Sequence, residues 1–156
     1  MGYTHYLRFK NVVTKERLSK ASKDIKKAFE LVKTECPDIV IKDGWGENEP
    51  QIDENAICFN GDASKEEDFE TFAVRVGDEG FNCCKTGRMP YDVYVCVACL
   101  VLKKHFGADL CLTSDGIFKI HTDIGVDLKL LLGGKYEIDD DWQKPIEIYK
   151  KFKGIG

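Results

Sequence analysis

At 156 residues, 43% of them apolar and 32% charged, the chain has the size and composition of one soluble globular domain, 1–156, whose core needs no covalent or metal staple. A net charge of −4 disfavours a binder of nucleic-acid polymers, because neutralising a phosphate backbone takes a basic surface. The longest apolar run, 93–102, is about half the roughly 20 residues of a membrane-spanning helix, so no membrane partner is expected.

Residues 3–10 alternate Tyr3, His5, Leu7 and Phe9 against Thr4, Tyr6, Arg8 and Lys10, the period of a strand. Thr14 is a good N-cap, and Leu18, Ala21, Ile25, Phe29 and Val32 recur at helical spacing until Pro37. Residues 38–42 read as a short strand. Residues 43–54 hold Gly44, Gly46, Pro50 and Trp45 among acidic residues and read as a loop. A strand is predicted over 55–60, ending at the turn signal Asn60-Gly61, followed by a charged, exposed stretch over 62–68. Residues 70–76 and 81–85 read as the arms of a hairpin about the turn 77–80. Pro90 suits the first turn of a second helix that runs to about Phe106 and stops at Gly107. Residues 109–113 and 117–121 read as partner strands around the turn Ser114-Asp115-Gly116. The pattern then weakens: 126–132 is short and apolar, 136–141 is acidic, and 145–152 fits a terminal amphipathic helix. Together these predict an α+β fold: two layers, a largely antiparallel sheet with two main helices packed on one face.

The N-terminus has no basic segment followed by an apolar core, so no signal peptide is expected. Seven cysteines then read as reduced thiols of a cytoplasmic protein. Cys96 and Cys99 lie at i and i+3 in an apolar helical run and read as core. The three histidines are dispersed, without metal-ligand spacing, and His105 and His121 read as structural. Neither a metal nor another cofactor is called for.

The stretch Phe81-Asn-Cys-Cys-Lys-Thr-Gly-Arg-Met-Pro-Tyr-Asp92 concentrates polar chemistry just ahead of the second helix. A helix N-terminus offers unpaired N–H groups and the positive end of a dipole. Lys85 and Arg88 add charge, and arginine grips phosphate or carboxylate with two parallel hydrogen bonds. Thr86, Tyr91 and Asp92 add hydrogen-bonding or stacking groups, although an Arg88–Asp92 surface pair would be an ordinary loop. The glycine pattern of a P-loop is absent. His5, between Tyr3, Thr4 and Tyr6, reads as a site floor or as a hydrogen-bonded structural histidine. Cys84 near a helix N-terminus, with His5 as base or Glu70 assisting, would make a nucleophilic site. Alternation puts Cys83 and Cys84 on opposite faces of the strand.

The N-terminal Met-Gly-Tyr-Thr-His-Tyr, Glu70-Thr71-Phe72, the Cys84-Lys85-Thr86-x-Arg88-x-Pro90-Tyr91-Asp92 block and Ser114-Asp115-Gly116 resemble a family of small uncharacterised bacteriophage and prophage proteins. The family pattern often has Trp where this chain has Leu7. The resemblance covers roughly residues 1–116 and implies a phage-type accessory protein of the host cytosol. It carries over no catalytic residues. Phages encode small proteins that bind or degrade nucleotide-derived signals of their hosts, which shapes three expectations. The first is a pocket for a small anionic, nucleotide-like ligand, with Lys85 and Arg88 on phosphate, Tyr91 and Tyr3 stacking, and His5, Thr86 and Asp92 hydrogen-bonding. The second is an enzyme acting on such a nucleotide. The third is a protein-binding inhibitor of a host factor, for which Trp45 in its acidic loop and the acidic stretch 137–141 are the hints. A homo-oligomer is left open.

Overall fold

The structure is a computed structural model, and it describes residues 2–120 and 123–154. The central strand, β1 (Thr4–Phe9), buries His5, Leu7 and Phe9 and exposes Arg8, as its alternation requires. Thr14 caps α1 (Lys15–Glu35), its hydroxyl oxygen accepting the Arg17 N–H at 3.3 Å, and Leu18, Ala21, Ile25, Phe29 and Val32 form the buried stripe. There follow β2 (Ile41–Lys42), β3 (Gln51–Ile52), β4 (Ala56–Gly61), β5 (Phe72–Arg75), β6 (Gly80–Lys85), α2 (Asp92–Phe106) and β7 (Leu110–Ser114). The chain continues through β8 (Ile117–Phe118), α3 (Leu128–Leu132), β9 (Glu137–Ile138) and α4 (Asp140–Lys153).

All the ladders are antiparallel, and the fold is α+β as expected. One sheet has the order β6-β1-β7; in a second, β4 pairs with β2, β3 and β5; β8 pairs with β9. Residues 93–102 of α2 are apolar all round, and α2 is buried accordingly, between α1, α4 and β7. One hydrophobic cluster joins the helices to both larger sheets. Among the described residues no helix is long and apolar enough to cross a membrane.

The predicted hairpin of 70–76 with 81–85 does not form. β5 pairs with β4, Phe72 opposite Phe59, while β6 pairs with β1, Cys84 opposite His5. The intervening turn is tied elsewhere: Gly77 N–H donates to the Val13 carbonyl at 2.9 Å, and Val13 N–H to that of Asp78 at 2.8 Å. The Asn82 side-chain amide bridges to the Ala73 carbonyl at 2.7 Å, joining the two sheets at their edges. Among the described residues the strand predicted over 117–121 likewise does not pair with 109–113. Around the Ser114-Asp115-Gly116 turn, Asp115 N–H donates to the Thr4 carbonyl and the Gly116 carbonyl accepts Asp139 N–H, so the turn's backbone is spent on neighbours and Ile117 pairs with Ile138. The terminal helix expected over 145–152 is α4, which starts earlier, at Asp140, and is a third long helix beside the two main ones. Asp139 caps it, accepting the Asp141 N–H at 3.1 Å.

Asn60-Gly61 is not a turn but the end of β4, opposite β2. The Asn60 side chain closes both ways on Phe69, donating to its carbonyl at 2.9 Å and accepting its N–H at 3.0 Å. This draws 62–69 back over the strand and buries Asp62, which was expected to be exposed. A Cβ on Gly61 would overlap the Glu67 carbonyl oxygen, a backbone atom that cannot swing aside.

Gly61→Ala is therefore expected to destabilise the protein by about 1–3 kcal/mol, measured by urea unfolding. Acid sensitivity follows from carboxylates that loops and partners hold below their usual range. Asp53 does so on the Asn55 N–H, Asp62 on the Ser64 hydroxyl, Asp109 on Arg17 and Glu35 on Lys151. Each is more acidic folded than unfolded, so its stabilisation is complete above the ordinary carboxylate range of about 4 and is lost as pH falls through the lowered values. A thermal-unfolding series should show Tm steady above pH about 5 and dropping below about 4; a flat profile down to pH 2 would contradict it.

Candidate functional site

β1 lies between β6 and β7, so its N-terminal end is flanked by the ends of both: His5 stands opposite Cys84 and Ser114. The strand-to-helix segment after β6 and the first turn of α4 close over the same end. Tyr3, His5, Cys84, Thr86, Tyr91, Asp92, Ser114 and Trp142 are all buried there.

Hydrogen-bond accounting orients the cluster. Ser114 Oγ accepts the indole N–H of Trp142 at 2.9 Å and the Gly116 N–H at 3.1 Å. A serine oxygen has two lone pairs, so its own hydrogen goes to His5 Nδ1, 2.8 Å away. The network thereby assigns the hydrogen of His5 to Nε2, which donates to Asp92 Oδ1 at 2.7 Å. The same carboxylate oxygen accepts the Thr86 hydroxyl at 2.6 Å, and Oδ2 takes the weak Cys96 S–H at 3.5 Å. Tyr3 and Trp142 pack edge-on against the imidazole, with ring centroids at 5.2 and 5.4 Å. Among the described residues no fully buried side-chain nitrogen or oxygen lacks a partner.

This bonding limits the chemistry. Serine to histidine to aspartate is the connectivity of a nucleophilic triad. Here both lone pairs of Ser114 Oγ are already occupied by N–H donors, and attack needs one free. His5, Asp92 and Cys96 also bring nitrogen, oxygen and sulfur within 4.8 Å of one another, close enough for a metal. A metal on Nε2 would move the hydrogen to Nδ1 and leave three N–H donors competing for one serine oxygen. Burial pushes the Cys96 thiol well up, in keeping with the S–H that Asp92 accepts. The cluster is complete as a hydrogen-bonded unit.

The other residues singled out from the sequence fall in two shells. Cys84 is buried, its thiol pushed up to about 12 by burial, 3.4 Å from the Glu70 carbonyl. The fully buried Tyr91 donates its hydroxyl to that carbonyl at 2.5 Å and does not face solvent. The exposed Glu70 side chain accepts the Lys85 N–H at 2.8 Å. Thr86 to Met89 form a tight turn: Gly87 and Arg88 both have positive φ, and Met89 N–H bonds the Thr86 carbonyl at 3.0 Å. A left-handed conformation is strained for arginine. The half-exposed Arg88 is held there by stacking on Tyr3 at 3.9 Å and by ion pairs to Asp139, at 3.2 Å, and Asp141. Tyr3 donates to Asp139 at 3.0 Å. Lys85 leans over the Phe69 ring at 5.7 Å. The structure therefore brings His5 and Arg88 to the same end, with Tyr3 between them, His5 inside and Arg88 outside. His105, at the other end of α2, pairs with Asp24 at 2.6 Å; His121 lies outside the described residues.

Sequence reasoning did not place Trp142 here, took Asp139 and Asp141 only as part of an acidic stretch, and read Cys96 as core, which it is, without its bond to Asp92. The Asp139-Asp140-Asp141 run before an amphipathic segment is an N-cap signal and could have marked the start of α4. Its contact with β1 has no local signal. Compared with protein-family models, curated proteins and solved structures, the chain matches none.

Asp92→Ala should strand the Thr86 and His5 donors in the interior at about 1–3 kcal/mol each, while Asp92→Asn keeps an acceptor oxygen for both and costs clearly less. Equal urea midpoints for the two variants would contradict the assigned bonding.

Proposed function

We propose that this chain is a binding protein that docks on a protein partner through Trp45. The observation that carries this reading is that Trp45 is 81% exposed, while Trp142 is fully buried. Large aromatic side chains are the usual anchors of protein interfaces. The loop beneath Trp45 is braced: Asp43 accepts the N–H groups of Trp45 and Glu47 at 3.0 and 3.2 Å, and Thr71 donates to the Gly44 carbonyl at 2.7 Å. Ala63 N–H also bonds the Gly46 carbonyl at 3.0 Å. Bracing lowers the ordering cost of association.

Charge indicates the kind of surface that receives it. Residues 43–54 and 62–70 carry ten acidic residues and one basic, net −9, against −4 for the whole chain. Among the described residues none of those ten makes a salt bridge, whereas Asp24, Glu35, Asp109, Asp139 and Asp141 all do. A basic partner surface is complementary, and its association weakens as salt rises. The resemblance to phage accessory proteins fits an inhibitor of a host factor. Burial of His5 and Cys84 lends no support to the enzymatic reading.

A second reading, a small nucleotide-like anion at Lys85 and Arg88, draws on the grip of Arg88 on two carboxylates. A ligand phosphate would take their place.

Trp45→Ala should weaken a partner recovered from host extract at least about 30-fold, the scale of a hot spot worth 2 kcal/mol, with Tm unchanged. Unaltered affinity would remove Trp45 as the anchor. For the second reading, Asp139→Asn/Asp141→Asn should raise the thermal shift given by nucleotides, and Lys85→Ala/Arg88→Ala should abolish it. No shift in any form would end that reading.

A further inference from the structure

We propose that a cleft beside the C-terminal end of α2 binds a small amphipathic anion, a single carboxylate or phosphate on an apolar body. The cleft has a volume of about 520 Å³, within the range of small-molecule sites, and lies among Lys10, Lys103, Lys104, Ala108, the 123–128 segment and Lys129. It is separate from both Trp45 and the His5 cluster.

Its interior is apolar. Val126 forms a buried wall, tied to β7 by its N–H on the Leu112 carbonyl at 2.7 Å, and Leu128 continues it. Ile124 stands at the rim 67% exposed, a large aliphatic side chain with no core to enter. An apolar body placed between these side chains would remove that surface from water.

Its rim is cationic, in a protein that is acidic overall. Four lysines line it against two aspartates, Asp123 and Asp127. Asp127 is occupied, accepting the Lys129 and Leu130 N–H groups at 2.9 and 3.3 Å to cap α3. Lys103 is also occupied: its ammonium donates to the carbonyls of Gly107, at the end of α2, and Leu110, at the start of β7, at 2.8 and 2.6 Å, covering oxygens that would otherwise repel an anion. Lys104 is paired with Asp24 at 3.9 Å. Lys10 and Lys129 make no salt bridge among the described residues. Two ammonium groups, Lys10 and Lys129, are thus available around an apolar floor, the chemistry that retains a charged head while the body is buried.

The test is an amide chemical-shift titration of the whole protein with octyl phosphate and decanoate. Octanol and inorganic phosphate control for tail and head alone, and AMP is the arm with a nucleotide body. Either aliphatic anion, or AMP, should shift the amides of 103–108 and 124–129 and bind at least 10-fold more tightly than octanol or phosphate. Which of them binds decides between a lipid-like and a nucleotide body. Lys10→Gln/Lys129→Gln, which spares the structural Lys103 and the paired Lys104, should keep its Tm and lose at least 10-fold in affinity. Val126→Ala should weaken the anions and leave inorganic phosphate unchanged. The proposal is overturned if no anion shifts these amides at 10 mM, if octanol binds as tightly, or if the double variant binds as wild type does.

Discussion

His5 sits in the middle strand with no access to water, so both ring nitrogens must find partners within the protein. Meeting that need organises one end of the molecule. Nδ1 is served by Ser114 at the end of β7, and Nε2 by Asp92 at the start of α2. Ser114 is fixed in turn by Trp142 of α4, and Asp92 by Thr86 of the segment after β6. Three stretches distant in sequence, 86–92, 114 and 142, converge on the imidazole of β1. A missing partner would strand a buried polar group, so the cluster specifies how sheet and helices meet as well as stabilising them.

The close packing there explains a glycine. A Cβ on Gly116 would overlap the Tyr3 hydroxyl and lie 2.6 Å from Trp142 and 2.9 Å from Asp139. Only a bare backbone lets β7 turn beneath α4 while Tyr3 reaches Asp139. The same Asp139 receives Arg88, so the outer ion pairs are built on the inner hydrogen bonds.

Buried polarity and exposed surface are therefore of different kinds in this protein. Of the residues richest in chemical capability, His5, Asp92, Ser114 and Cys96 are bonded to one another, Cys84 is bonded to the Glu70 carbonyl, and all are buried. The groups left facing solvent are of a different kind: a tryptophan on a braced acidic loop, and a lysine-rimmed apolar cleft at the opposite end of α2. Recognition of a protein surface or an amphipathic ligand draws on burial and charge rather than on a reactive side chain, and both features offer those.

The sequence by itself determined the local elements. The alternation of 3–10 made β1, the helical stripe behind Thr14 made α1, and the uninterrupted apolar run of 93–102 required a buried helix, because periodicity and capping act within a few residues. It also marked His5, Thr86, Arg88 and Asp92 as neighbours in kind, if not in role. Only the tertiary structure decided pairing and exposure. Residues 81–85 turned to β1 rather than to 70–76, the turn after Ser114 gave its backbone to β1 and α4, and Tyr91 went inward while Trp45 stayed out. Those outcomes depend on which distant groups satisfy each hydrogen-bonding atom and fill each space. That competition is settled across the whole chain at once and leaves no signature in any short stretch of it.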